Sequence, residues 1–284
     1  MDKEIETLLE MVKSANRKPF WQSTPQEARS GPMLMALLFG DAPSVERDES
    51  FTIPSSGGFD LPVRLYVPSA NPKGLIVYFH GSVDYRLAPE HAFPLPVYDA
   101  LAAIRWGASP AAAKAIGHEP PVLVAMGDSA GGNLATVASR LHNASSPARR
   151  VDLQVLAYPV TDHRFDTGSY AEFAEGNLLT RNDMKWFWDH YCPDTSKRSH
   201  PDASPMQARD LSDSPAALIV TAGRDPLRDE GEAYGQRLKD AGVPTEVVRG
   251  EGLVHGFLAM INYAPSAGRA FETMAAAIGR VTAR

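Results

Sequence analysis

Four short apolar runs, residues 75–79, 122–126, 151–158 and 216–221, each bounded by Gly, Pro or charge, set the tightest limit on how this chain folds. Runs of that length without polar alternation read as strands covered on both faces. Between them, residues 95–107, 130–143, 227–241 and 265–282 carry helical spacing and alanine-rich packing faces. Strands alternating with helices predict a parallel sheet sandwiched between helical layers, with a last strand at 245–249. Two stretches of period-two alternation, 50–54 and 61–68, flank Ser55-Ser56-Gly57-Gly58, which is turn chemistry, so they are expected to pair as a hairpin.

One segment breaks the rhythm. Residues 163–214 hold no buried strand and are rich in aromatics, Asp, Ser and Pro, which predicts a helical insertion over the sheet. Residues 1–17 alternate acids with Ile5, Leu8, Leu9 and Val12 at helical spacing. Residues 1–45 and 163–214 are therefore expected to form a cap on a catalytic domain made of 46–162 and 215–284. At 284 residues and 44% hydrophobic content the chain can bury one large core.

The net charge of −6 excludes nothing about solubility but argues against a nucleic-acid partner, since no segment concentrates the Lys and Arg that phosphates require. The most apolar early stretch, 33–39, is far short of the roughly 18–20 residues of a spanning helix. With no basic start and apolar run at the N-terminus, a cytoplasmic location is expected. The single cysteine, Cys192, lies among Trp186, Phe187, Trp188 and Tyr191 and reads as a buried, inert thiol. No His/Cys/Asp cluster has metal-ligand spacing, and neither G-x-G-x-x-G nor a Walker loop occurs, so neither metal nor organic cofactor is expected.

Gly127-Asp128-Ser129-Ala130-Gly131 matches G-x-S-x-G, a turn in which glycines let the backbone lift a serine above a sheet. The pattern alone is weak, but here it follows an apolar strand and precedes an alanine-rich helix, the setting it needs. A serine hydroxyl is a poor nucleophile until a base takes its proton and a third group fixes the base's tautomer. Asp225, in Gly223-Arg224-Asp225-Pro226-Leu227, follows the strand at 216–221, although taken alone it would also serve as a helix cap. His255 follows the last strand. Ser129, Asp225 and His255 thus occur in the order this architecture uses, with His255 as base and Asp225 as its orienting acid. His80 follows the strand at 75–79, where its expected role is to shape a loop beside the nucleophile. The charged stretch from Asp84 to His91 reads as an internally salt-bridged turn.

Taken together, His80-Gly81, Asp84-Tyr85-Arg86-Leu87-Ala88-Pro89-Glu90-His91, Gly127 to Asn133, Tyr158-Pro159-Val160-Thr161-Asp162, Asp225-Pro226-Leu227 and His255-Gly256-Phe257 resemble the hormone-sensitive-lipase-like branch of the α/β-hydrolase esterases. The resemblance covers about residues 74–260. It implies an α/β-hydrolase fold with a helical cap, a Ser129–His255–Asp225 triad, and hydrolysis of short to medium acyl esters through an acyl-enzyme. It also implies frequent homodimerisation and oxyanion donors at the amides of Ala130 and of the loop holding Gly81.

The chain departs from that pattern where Gly81 is followed at once by Ser82-Val83-Asp84-Tyr85. A strand through Val83 is expected to lie parallel to the one at 75–79, and parallel neighbours need a crossover of a dozen or more residues. Either a segment is missing from the sequence between Gly81 and Ser82, leaving their Cα atoms many ångströms apart, or the peptide is continuous at about 3.8 Å and the region is rebuilt. The first is favoured, because losing a strand start and its covering helix exposes core. The second raises the alternative readings of a catalytically impaired homologue or a small-molecule-binding protein. An amidase or lactonase on the same machinery is not separable from an esterase by sequence.

Overall fold

The computed structural model describes residues 1–15, 18–30, 43–69, 71–81, 85–146 and 148–283. Among the described residues a parallel sheet of five strands is ordered β3 (Leu75–Phe79), β4 (Leu123–Asp128), β5 (Leu153–Ala157), β6 (Ala216–Arg224) and β7 (Thr245–Val254). The antiparallel hairpin β1 (Arg47–Pro54) and β2 (Asp60–Val67) forms a separate two-stranded sheet, with Ile53 opposite Leu61. The apolar runs did become the central strands: every residue of β5 and the first five of β4 are buried.

Helices cover both faces. On one, α3 (Leu95–Gly107), α5 (Ala130–Ser145) and α8 (Arg228–Asp240) pack Ile104, Leu134 and Leu238 with Leu123, Leu156 and Ile219. On the other, α1 (Lys3–Ser14) and α9 (Pro265–Thr282) pack Ile5, Leu8 and Met274 with Val124, Val155 and Val220. In chain order the remaining α-helices among the described residues are α2 (Pro25–Ser30), α4 (Pro110–Ile116), α6 (Gly168–Glu172) and α7 (Arg181–Tyr191). The last two lie in the 163–214 insertion, which has a small core of its own. There Tyr170, Met184, Trp188 and Cys192 close on Val160 and Leu227, so the insertion is anchored beside Asp225. The N-terminal stretch meets the insertion where the Phe20 and Phe187 rings sit 5.4 Å apart and the Trp21 amide donates to Asp183 Oδ1 at 3.1 Å.

Three sequence expectations change. β7 runs five residues beyond 249, so the strand itself delivers His255. The helix α4 was not anticipated. The turn at 84–91 is not internally salt-bridged among the described residues. Arg86 instead forms a buried fork onto Asp99 of α3, and Glu90 pairs with Arg29 of α2, because each charge finds a better-placed partner on an adjacent element. The Gly81–Ser82 separation and the strand through Val83 lie outside the described residues; Tyr85 and Arg86 are not in a strand.

Candidate active site

The turn between β4 and α5 is forced by close approach. A Cβ at Gly131 would sit 1.9 Å from the Phe79 carbonyl oxygen, and one at Gly127 would sit 2.3 Å from that of Gly131, so only glycine allows the helix to start directly against β3 and β4. Ser129 takes φ 53° and ψ −120°, a region that L-residues occupy only when their surroundings impose it. Those surroundings are specific: the Ser129 amide donates to the Ala157 carbonyl at 3.0 Å, and its own carbonyl accepts from Val160 and Asn133 at 3.1 and 3.2 Å. The strain lifts the hydroxyl above the carboxyl end of the sheet.

His255 leaves the end of β7 and is held by the Tyr158 ring, 4.7 Å away between centroids, which rests in turn edge-on against Phe257. Its Nε2 lies 3.0 Å from Ser129 Oγ and its Nδ1 lies 2.8 Å from Asp225 Oδ2. Asp225 is fully buried, and its other oxygen accepts the Leu227 amide at 2.9 Å, which fixes the plane of the carboxylate. Asp225 combines both expected roles: its Oδ1 and carbonyl accept the Leu227 and Arg228 amides in the turn that leads into α8, while its Oδ2 faces His255. The three residues expected from the sequence are thus joined in one hydrogen-bonded chain.

Ala130 opens α5, where the first amides have no carbonyl within the helix and carry the positive end of its dipole. Gly81 lies close by, but its amide donates to Asp128 Oδ1 at 3.1 Å. The same oxygen accepts the Tyr78 hydroxyl at 2.7 Å. His80 packs edge-on against Tyr78 at 6.2 Å. This clamp from β3 to the turn was not recognised in the sequence. Asp128 stands within the motif, but its partners follow from the β3–β4 register, in which Phe79 faces Gly127.

A second unanticipated carboxyl lies below the triad. Glu230 is fully buried, and its Oε1 accepts the Thr161 and Asp162 amides at 2.7 and 3.2 Å. Burial, reinforced by Asp162 and Asp225 and opposed by the two amides, pushes its carboxyl well above the usual range, which favours its neutral form. Burial likewise pushes the Cys192 thiol up, in keeping with an inert side chain. Among the described residues no cluster of three or more His, Cys, Asp or Glu fits a metal ion, and no helix is long and apolar enough to cross a membrane.

A family profile of the α/β-hydrolase fold matches residues 64–259. The carboxylic ester hydrolase LipN of Mycobacterium tuberculosis is 39% identical over an alignment covering 73% of this chain and 63% of LipN. The ethyl acetate hydrolase of Pseudomonas putida is 32% identical, with 79% of this chain and 80% of its own covered. The arylesterase of Saccharolobus solfataricus is 32% identical, with 91% and 92% covered. That last alignment runs over 289 positions while taking in 91% of 284 residues, so about 30 positions of the relative have no residue here. Among solved structures, the esterase of the archaeon Pyrobaculum calidifontis superimposes with a TM-score of 0.88 at 30% identity, covering 100% of this chain and 99% of that one. A thermostable esterase of Pseudomonas putida gives 0.87 at 30%, with 96% and 95% covered. The chain belongs to the α/β-hydrolase family, in its hormone-sensitive-lipase-like carboxylesterase branch.

Proposed function

We propose that the protein is a serine carboxylester hydrolase acting on short to medium acyl esters through Ser129, His255 and Asp225. The observation that carries this is the Ser129–His255–Asp225 chain at 3.0 and 2.8 Å, with the serine held at positive φ. Ser129 Oγ attacks the ester carbonyl and its proton passes to His255 Nε2, while Asp225 holds Nδ1–H and stabilises the imidazolium. The Ala130 amide donates to the oxyanion. Collapse expels the alcohol, which takes the proton from His255 and leaves an acyl-Ser129. Water then attacks with His255 as base, and the acid leaves as Ser129 regains its proton. No metal or organic cofactor takes part. The relatives' esterase activities support the substrate class, and the contact of residues 18–30 with the 163–214 insertion supports a cap built from 1–45 and 163–214.

A second reading, an impaired homologue or small-molecule-binding protein, is favoured by one observation: the Gly81 amide is already engaged by Asp128. The experiment is labelling with a fluorophosphonate, together with hydrolysis of p-nitrophenyl acetate and butyrate. The expected result is a single adduct on Ser129, with label and turnover both lost in Ser129→Ala at unchanged folding. A folded wild-type protein that takes no label and turns over neither ester would refute the hydrolase and support the binding-protein reading.

A further inference from the structure

Among the described residues the non-glycine residues at positive φ are Ser129, at 53°, and Tyr158, at 36°. A backbone in that region relaxes unless its surroundings fix it on both sides. Before the bend, the Tyr158 amide donates to the Val220 carbonyl at 2.7 Å. After it, the Val160 amide donates to the Ser129 carbonyl at 3.1 Å, and the Val160 carbonyl accepts Asn133 Nδ2 at 3.0 Å. The Thr161 and Asp162 amides then converge on Glu230 Oε1 at 2.7 and 3.2 Å, and Thr161 Oγ1 donates to the Glu230 carbonyl at 3.0 Å. Pro159 is wedged between two helix starts: a Cβ on Gly132 of α5 would lie 3.0 Å from it, and one on Gly231 of α8 would lie 3.6 Å away. Residues 158–162 thus space the nucleophile's helix from the helix that follows Asp225, while the Tyr158 ring supports His255 at 4.7 Å between centroids.

We propose that Glu230 is a positioning residue of the hydrolysis: its carboxyl ties the far end of the Tyr158 bend, and through it the Ser129 carbonyl and the His255 ring, to the helix that follows Asp225. The inference rests on the hydrolase reading of Ser129. The geometry asks for an acceptor and not for a charge. One oxygen takes two amides, and an apolar replacement would leave both buried and unpaired. A negative charge there would stand with Asp162 and Asp225, which together with burial favour the neutral carboxyl. The effect of Glu230 on Ser129 and His255 passes through residues 158–162, so its loss is felt in the chemical steps and not in the affinity for the ester.

The test compares the full-length wild type with Glu230→Leu and Glu230→Gln, each checked for folding by circular dichroism and assayed well below its melting temperature. Glu230→Leu keeps the bulk and removes the acceptor; it is expected to lower kcat for p-nitrophenyl butyrate by roughly 10²-fold, the cost of a misplacement of about 1 Å, with KM little changed. Fluorophosphonate labelling of Ser129 is expected to slow in parallel. Glu230→Gln returns an oxygen to the two amides and is expected to recover at least a tenth of the wild-type kcat. If Glu230→Leu does not fold, Glu230→Asp, whose carboxyl is one methylene short of the amides, replaces it with the same expected loss. A fall in kcat of less than tenfold in the folded Leu or Asp variant, a Gln variant as slow as that variant, or a change confined to KM overturns the positioning role and leaves the hydrolase reading standing. A wild type with neither turnover nor label refutes the hydrolase reading, and the inference with it.

Discussion

Asp225→Asn isolates the orienting carboxylate, because the replacement keeps the size of the side chain and changes what it presents to His255. The direction of the new amide is set by the backbone. Asp225 Oδ1 accepts the Leu227 amide at 2.9 Å, so the Asn carbonyl takes that place, since the reverse would set NH₂ against N–H. The NH₂ then faces His255 Nδ1, where Asp225 Oδ2 now stands at 2.8 Å. Nδ1 must become an acceptor, which moves the ring proton to Nε2 and leaves no lone pair for the Ser129 proton, 3.0 Å away. In a comparable triad that tautomer change lowers turnover by roughly 10⁴-fold, equivalent to about 5.4 kcal/mol of barrier at 1.36 kcal/mol per decade. The assay is p-nitrophenyl acetate hydrolysis by matched protein concentrations, with circular dichroism and thermal melts to confirm that the fold is kept. A fall of less than tenfold in a folded variant would show that another group orients His255.

Asp128→Ala removes the acceptor of the Gly81 amide and Tyr78 hydroxyl, and a displacement of that wall by about 1 Å is expected to lower kcat/KM by roughly 10²-fold, with Asp128→Asn partly restoring it; unchanged steady-state kinetics would rule the clamp out as a positioning element. Asp99→Ala leaves Arg86 buried without its carboxylate and is expected to cost about 3–5 kcal/mol in urea unfolding, where a loss below about 1 kcal/mol would contradict a buried pair. Glu230 is raised by burial in the folded state above its ordinary 4.5, so its stabilising contribution is complete below pH 4.5 and is lost as pH rises through the folded value. Between pH 5 and 8 the wild-type melting temperature is therefore expected to fall relative to that of Glu230→Gln, and parallel curves would contradict a neutral Glu230.

The parts legible in the sequence are those written in contiguous residues. The turn at Ser129 needs only a strand before it, a helix after it and two glycines, all local, and α9 runs from Pro265 to Thr282 as its spacing predicts. His255 and Asp225 were legible because the architecture fixes their order along the chain. The Asp128–Tyr78–Gly81 clamp was not, since it exists only once β3 and β4 are paired in register. Arg86 and Glu90 looked like partners of their own turn because sequence shows neighbours first; their actual partners, Asp99 and Arg29, come from helices whose placement the charges do not reveal. Glu230 carries no sequence mark that separates a fully buried acid from the part-buried, ion-paired ones at Asp229 and Glu232 around it.

The wall of the site that carries His80 and Gly81 hangs from β3, and among the described residues β3 has one strand partner, β4. The near-contact of Gly131 with the Phe79 carbonyl welds the serine's helix to that same strand. A tug on this end strand is thus felt at the nucleophile with little slack in between, so an edge of the sheet and the molecule's most demanding geometry are one mechanical part.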